Sequence, residues 1–249
     1  MLHPKKVGTV PVGKGSDEQK QTNEIKIAAP LLSCVDIENK NITADALHTQ
    51  KKFAEHIVQE RNAHYFFIAK NNQPTLSSDI ELYFQNIDAE PESVDVTCGD
   101  HGRIETRKIW TTSELNEYLN FPHVAQAFMI EREFISKKTN KVSKEIVYGI
   151  TSRKPQEASA QKIQEVIRGH WTIENSCHYI LDWNYDEDRC RIRTGYGPEN
   201  ITRLRRFAVS IIKSKKVYSV AQKMRELSFN PRAVMDYLKM TKKFQTATT

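Results

Sequence analysis

Two acidic residues stand where carboxylates do chemistry. Glu174 lies inside an apolar helical stripe, Ile163, Ile167, His170, Glu174, Cys177 and Leu181, spaced alternately by four and three. A carboxylate there must be paired, protonated or bound to a metal, because an isolated buried charge is very costly. Pairing with Arg168 or capping by Asn175 would give it a purely structural role. Asp45 follows the short strand pattern Asn41–Ala44, so it sits at a strand's carboxyl end, where open α/β sheets place their ligands. An Asx turn leading into the next helix would account for it without chemistry.

Other chemistries fit poorly. His170, Glu174 and His178 share a helix face at spacings of four. At about 1.5 Å rise per residue the two histidine Cα atoms lie roughly 12 Å apart. Zinc holds each nitrogen at about 2.1 Å, and a zinc helix uses His at i and i+4. No G-x-x-x-x-G-K-[ST], G-x-G-x-x-G or G-x-S-x-G occurs, and nine glycines in 249 residues argue against phosphate-cradling loops. Cys34, Cys98, Cys177 and Cys190 form no C-x-x-C pair, which predicts free thiols in a reducing cytoplasm.

The elements that must position these residues follow from periodicity. Glu24–Cys34 reads as a short helix interrupted at Pro30. After Asp45, Thr49 caps a helix with Phe53, Ala54, Ile57 and Val58 on one face. His64–Ala69 is a buried strand closed by the loop Lys70–Pro74, completing a βαβ unit with a parallel pair. His101–Trp110, Gln126–Ile135 and Val142–Ile150 alternate as strands, the last two joined as a hairpin. A long helical pattern begins at Gln156, followed by an acidic loop, Asp182–Arg193. Ile201, Leu204, Phe207, Ala208, Ile211 and Ile212 mark an amphipathic helix, and Val217–Leu227 and Pro231–Met240 two shorter ones.

Charge is unevenly placed. Gly195–Thr249 carries 12 Lys/Arg against three acidic residues, a net +9 in a chain whose total is +6. A basic end on a slightly acidic body suggests a polyanion, most simply nucleic acid; a solvated helical surface is the alternative. The longest unbroken apolar run, Tyr65–Ala69, is far short of the roughly 20 residues of a membrane span. Met1–Gln21 has no apolar h-region, which predicts no secretory signal and a cytoplasmic location.

Arg168–Arg193, reading RGHWTIENSCHYILDWNYDEDRCRIR, resembles the C-terminal signature of bacterial insertion-sequence transposases of the H-repeat-associated type, within the DDE group. ITADALHTQKKFAEHIV (Ile42–Val58), FIAKNNQPTL (Phe67–Leu76), HGRIETRKIW (His101–Trp110) and PENITRLRRFAVSII (Pro198–Ile212) agree in order. The resemblance runs from about Asn23 past Ile212. It implies an α/β fold: a ribonuclease H-like core with a β-rich insertion and a C-terminal helical segment. The expected organisation is a flexible remnant at 1–22, core at 23–70, insertion at 71–150, catalytic helix and acidic loop at 151–194, and basic helices at 195–249.

The resemblance also implies a catalytic Asp, Asp, Glu set that holds Mg²⁺, two ions in an intact site, for cleavage and strand transfer at transposon-end DNA. Asp45 matches the second Asp and Glu174 the Glu. His170 and Leu181 occupy the Arg and Lys positions of the related Tyr-Arg-Glu-Lys signature. Arg168 and His170 are therefore the expected DNA contacts beside Glu174. Arg203, Arg205, Arg206 and Lys213 supply a basic helix surface, and Arg103 and Arg107 share a strand face that offers a second. The family's first Asp lies in a segment like I-D-G-K-T upstream of Asn23-Glu24-Ile25, and only about twenty residues precede that match here. The expectation is a C-terminal fragment that lacks the first Asp, with Asp17 a poor substitute. Such a chain is either an inactive transposase remnant or a non-catalytic protein that binds DNA, itself or a full-length transposase.

Overall fold

The computed structural model describes residues 17–99, 103–173 and 178–240. The chain divides into two compact units, Met1–His170 and Trp171–Thr249.

The first unit is mixed α/β, as expected. Helix α1 (Asp17–Leu32) is followed by β1 (Asn41–Ala44), α2 (Lys51–Glu55), β2 (His64–Ala69), α3 (Pro74–Gln85), β3 (Ser93–Gly99), β4 (Arg103–Thr112), β5 (Gln126–Ser136), β6 (Val142–Thr151) and α4 (Ala160–Ile173). The strands form one sheet in the order β1-β2-β6-β5-β4-β3. β1 and β2 are parallel, Ile42 opposite Tyr65, which confirms the βαβ unit. β6 runs antiparallel to β2, so the strands of the 71–150 stretch extend the same sheet as the core.

Both faces of β2 are covered, which is why its sequence is an unbroken apolar run. Tyr65 and Phe67 pack with Phe53, Ile57, Ile80 and Ile150 on one side. Phe66 packs with Ile109, Phe128, Ile130 and Ile163 on the other. Ile163 anchors α4 there, with Ile167 partly buried beside it, so the predicted stripe is the packing face.

Four local expectations need correction. α1 begins at Asp17 and continues through Pro30, ending two residues later at Leu32; Pro30 removes one backbone donor from the helix without interrupting it. Asp17 thus opens a helix and not a strand. Thr49 is no helix cap: it is fully buried and its hydroxyl donates to Ile68 O over 2.8 Å, while Gln50 precedes α2. The stretch expected to be β-rich also contains a helix, α3, with Pro74 in its first turn and Leu76, Ile80 and Phe84 buried at spacings of four. α4 starts at Ala160, after a turn closed by Glu157 N to Lys154 O.

The second unit holds α5 (Gly197–Lys213), α6 (Val220–Ser228) and α7 (Pro231–Tyr237), preceded by a π-helical turn, Ile180–Asn184. Helix therefore persists into what reads as an acidic loop. Ser219 and Asn230 cap α6 and α7 by accepting from Gln222 N and Ala233 N. The small core is Ile180, Leu181, Val209, Ile212 and Val220. Within this unit Leu204 and Phe207 of α5 are 62% and 59% exposed; of the predicted stripe Ile212 is buried, and the packing face turns toward Val209, which the stripe does not include. No helix among the described residues is long and apolar enough to cross a membrane.

Candidate active site

Asp45 directly follows β1 and opens a 3-10 turn, Ala46–His48, whose first hydrogen bond runs from His48 N to Asp45 O at 2.8 Å. Its carboxylate caps nothing in that turn, so the Asx-turn alternative is not what the residue does. The turn is held from outside. Asn72 donates its side-chain N–H to Ala46 O, and Gln73 donates to Thr49 O over 3.0 Å. Thr49 in turn donates to β2 at Ile68 O. Sequence reasoning singles out neither Asn72 nor Gln73, and reads Thr49 only as a helix cap. The only signal was the polar cluster Asn71-Asn72-Gln73 after a buried strand, which reads as a loop.

The carboxylate is engaged from α4. His170 Nε2 lies 3.0 Å from Asp45 Oδ1, and its Nδ1 lies 3.1 Å from Thr43 Oγ1. The Asp45 side chain is 75% exposed and that of His170 only 23%. An open carboxylate therefore rests on a sheltered ring. Asp45 offers hard oxygen of the kind Mg²⁺ takes. Among the described residues no group of three or more His, Cys, Asp or Glu could hold a metal. Glu174 lies outside the described residues.

The expected DNA contacts are variously committed. Arg168 donates to Asp95 Oδ2 at 2.7 Å, so this structural alternative for pairing Glu174 has another partner. Arg107 is nearly buried and donates to Glu105 at 2.6 Å. Glu105 also pairs with Arg132 at 3.4 Å, and Arg132 with Glu145 at 3.1 Å. Arg103 opens β4, in register with Gly99 and Ser136. In the second unit Arg203 pairs with Glu199 and stays 72% exposed. Arg206 is exposed, and Lys213 ends α5. Arg205 turns inward with Nη1 buried, and its charge acts on Tyr185. Burial nevertheless raises the Tyr185 phenol above its ordinary range, Arg205 offsetting this in part.

The fold and site define a mixed α/β domain with an open carboxylate at the carboxyl end of a parallel strand, the ligand-bearing end of such sheets. Residues 14–220 match the Transposase DDE domain family, and the chain belongs to it. The chain is 31% identical over 225 residues to the protein YbfL of Escherichia coli strain K12, covering 85% of this chain and 58% of YbfL. It is 30% identical over 233 residues to the H repeat-associated protein YhhI of the same strain, covering 88% of this chain and 60% of YhhI. The chain thus spans about three fifths of the curated relatives it matches. A solved structure, the piggyBac transposase synaptic complex with hairpin DNA, is similar over 94% of this chain and 45% of that one, with a TM-score of 0.42 and 13% identity.

Proposed function

We propose that the chain is part of an insertion-sequence transposase and engages transposon-end DNA in the bacterial cytoplasm, with Asp45 and Glu174 as two of its three catalytic carboxylates. The observation that carries this is the Asp45 carboxylate, uncapped, 75% exposed and steadied by His170. His170 comes from the helix that leads toward Glu174, four residues on in sequence. Bound Mg²⁺ would supply activation of the attacking oxygen and stabilisation of the leaving one. Asp45 fits as a hard oxygen ligand.

Only two of the three acidic positions are matched by residues of this sequence. The 249 residues by themselves therefore bind DNA without cutting it, alone, as a homodimer or with a full-length transposase. Family membership and the net +9 of Gly195–Thr249 support the binding half of this reading. The test is a transposon-end duplex titrated with the chain at several salt concentrations and assayed in the same tubes for nicking in Mg²⁺ or Mn²⁺. Salt-dependent binding without nicking is expected. Metal-dependent nicking abolished by Glu174→Ala would establish an active enzyme instead, and no salt dependence would remove the DNA contact.

A further inference from the structure

We infer that His170 is a positioning residue for Asp45 and that Thr43 fixes the tautomer in which it acts. The inference rests on reading Asp45 as a catalytic carboxylate. A carboxylate only accepts hydrogen bonds, so the contact at 3.0 Å requires the proton on His170 Nε2. In the neutral ring Nδ1 is then an acceptor, and the Thr43 hydroxyl, 3.1 Å away, donates to it. Thr43 and Asp45 are two apart along one extended segment, so both side chains leave the same face. The ring bridges them and is held at two points.

That geometry leaves neither ring nitrogen free for a phosphate. The sequence expectation made His170 a DNA contact, but such a residue would turn a nitrogen to solvent. Here the ring is 23% exposed and the carboxylate it holds is 75% exposed. One oxygen, Oδ1, is occupied by His170. Among the described residues, the other has no hydrogen-bond partner. A supporting group that holds one oxygen of a reactive carboxylate orients it while leaving the other for ligand.

The test reads the tautomer directly, without DNA or metal. The full chain is labelled with ¹⁵N-histidine, and long-range ¹H–¹⁵N correlations are recorded at about pH 8.5, above the ordinary imidazole range. His170 is assigned from the signals lost in His170→Gln. A protonated Nε2 and a bare Nδ1 are expected. Asp45→Ala and Thr43→Val should each shift these resonances, with unchanged far-ultraviolet circular dichroism. Asp45→Asn keeps an acceptor oxygen and should restore the wild-type pattern. A ring protonated at Nδ1, or resonances unmoved by Asp45→Ala, would overturn the inference. So would a His170→Ala chain whose salt slope for DNA falls by about 1, the mark of a lost phosphate contact. A chain that neither binds nor cuts DNA but shows the expected tautomer would sink the functional reading and leave this bridge standing.

Discussion

Arg168 Nη1 donates to Asp95 Oδ2 across 2.7 Å, tying α4 to the edge strand β3. Both side chains are 44% exposed, so solvent screens the pair and its worth is about 0–1 kcal/mol. Asp95→Asn is expected to lower stability by less than about 1 kcal/mol in urea denaturation. It also releases a guanidinium, and the DNA salt slope should steepen by up to about 1. A loss of several kcal/mol would mean that the pair is structural.

The basic helix α5 should divide by burial. The full chain is expected to show a slope of about −4 to −5 in log K against log salt. Arg206→Ala should reduce its magnitude by about 1 and weaken binding equally across sequences, because phosphate contacts carry no base information. Arg205→Ala should instead act on folding, since its Nη1 is buried and its charge is turned toward Tyr185. Equal slope changes from both variants would place Arg205 at the DNA.

Gly149 faces Phe128 on one neighbouring strand and Ile68 on the other. A Cβ there would lie 2.6 Å from Phe67 O and closer still to the Phe128 ring. The backbone oxygen cannot swing aside. Gly149→Ala should therefore destabilise by about 1–3 kcal/mol or more, read as a lowered urea midpoint at constant m.

Gln126 is buried, and its side-chain amide donates to Arg153 O at 2.9 Å and Ala158 O at 3.0 Å. It thereby closes the turn between β6 and α4. Gln126→Leu keeps the bulk and strands both carbonyls. A loss of about 1–3 kcal/mol is expected, with faster amide exchange at the start of α4. An unchanged melt would show that water replaces the amide.

Stability should fall on mild acidification. Burial, and then the Arg153 charge, lower the pKa of His64. The unfolded chain therefore binds a proton first, near the ordinary value of about 6.5. The contribution is complete above that value and is lost as pH falls toward the lowered folded one. Urea midpoints taken from about pH 7.5 downward should decline in the wild type and decline less in His64→Gln. Parallel profiles would assign the loss to other groups.

Strand and helix identities were legible where one physical rule dominates. β2 is apolar throughout because both its faces are covered, and β4, β5 and β6 alternate because their two faces differ. α3 is less legible, because the polar loop before it masks the Leu76, Ile80 and Phe84 spacing. On α5, Leu204 and Phe207 fit a stripe as well as Val209 does, and only packing decides which apolar residues go inward.

The sequence by itself determined the family and the candidate carboxylates, because ordered motifs and an acid among apolar residues are local facts of the chain. It also determined that Thr43, Asp45 and His170 could each offer a polar group. Only the tertiary structure decided what those groups meet. Asp45 and His170 are 125 positions apart, and no periodicity couples a strand end to a helix turn across that distance. Their meeting follows from the sheet order, which sets β1 beside β2, and from Ile163 fixing α4 against Phe66 of β2. Side-chain hydrogen bonds need partners placed to within a fraction of an ångström, and that placement comes from packing of the whole sheet.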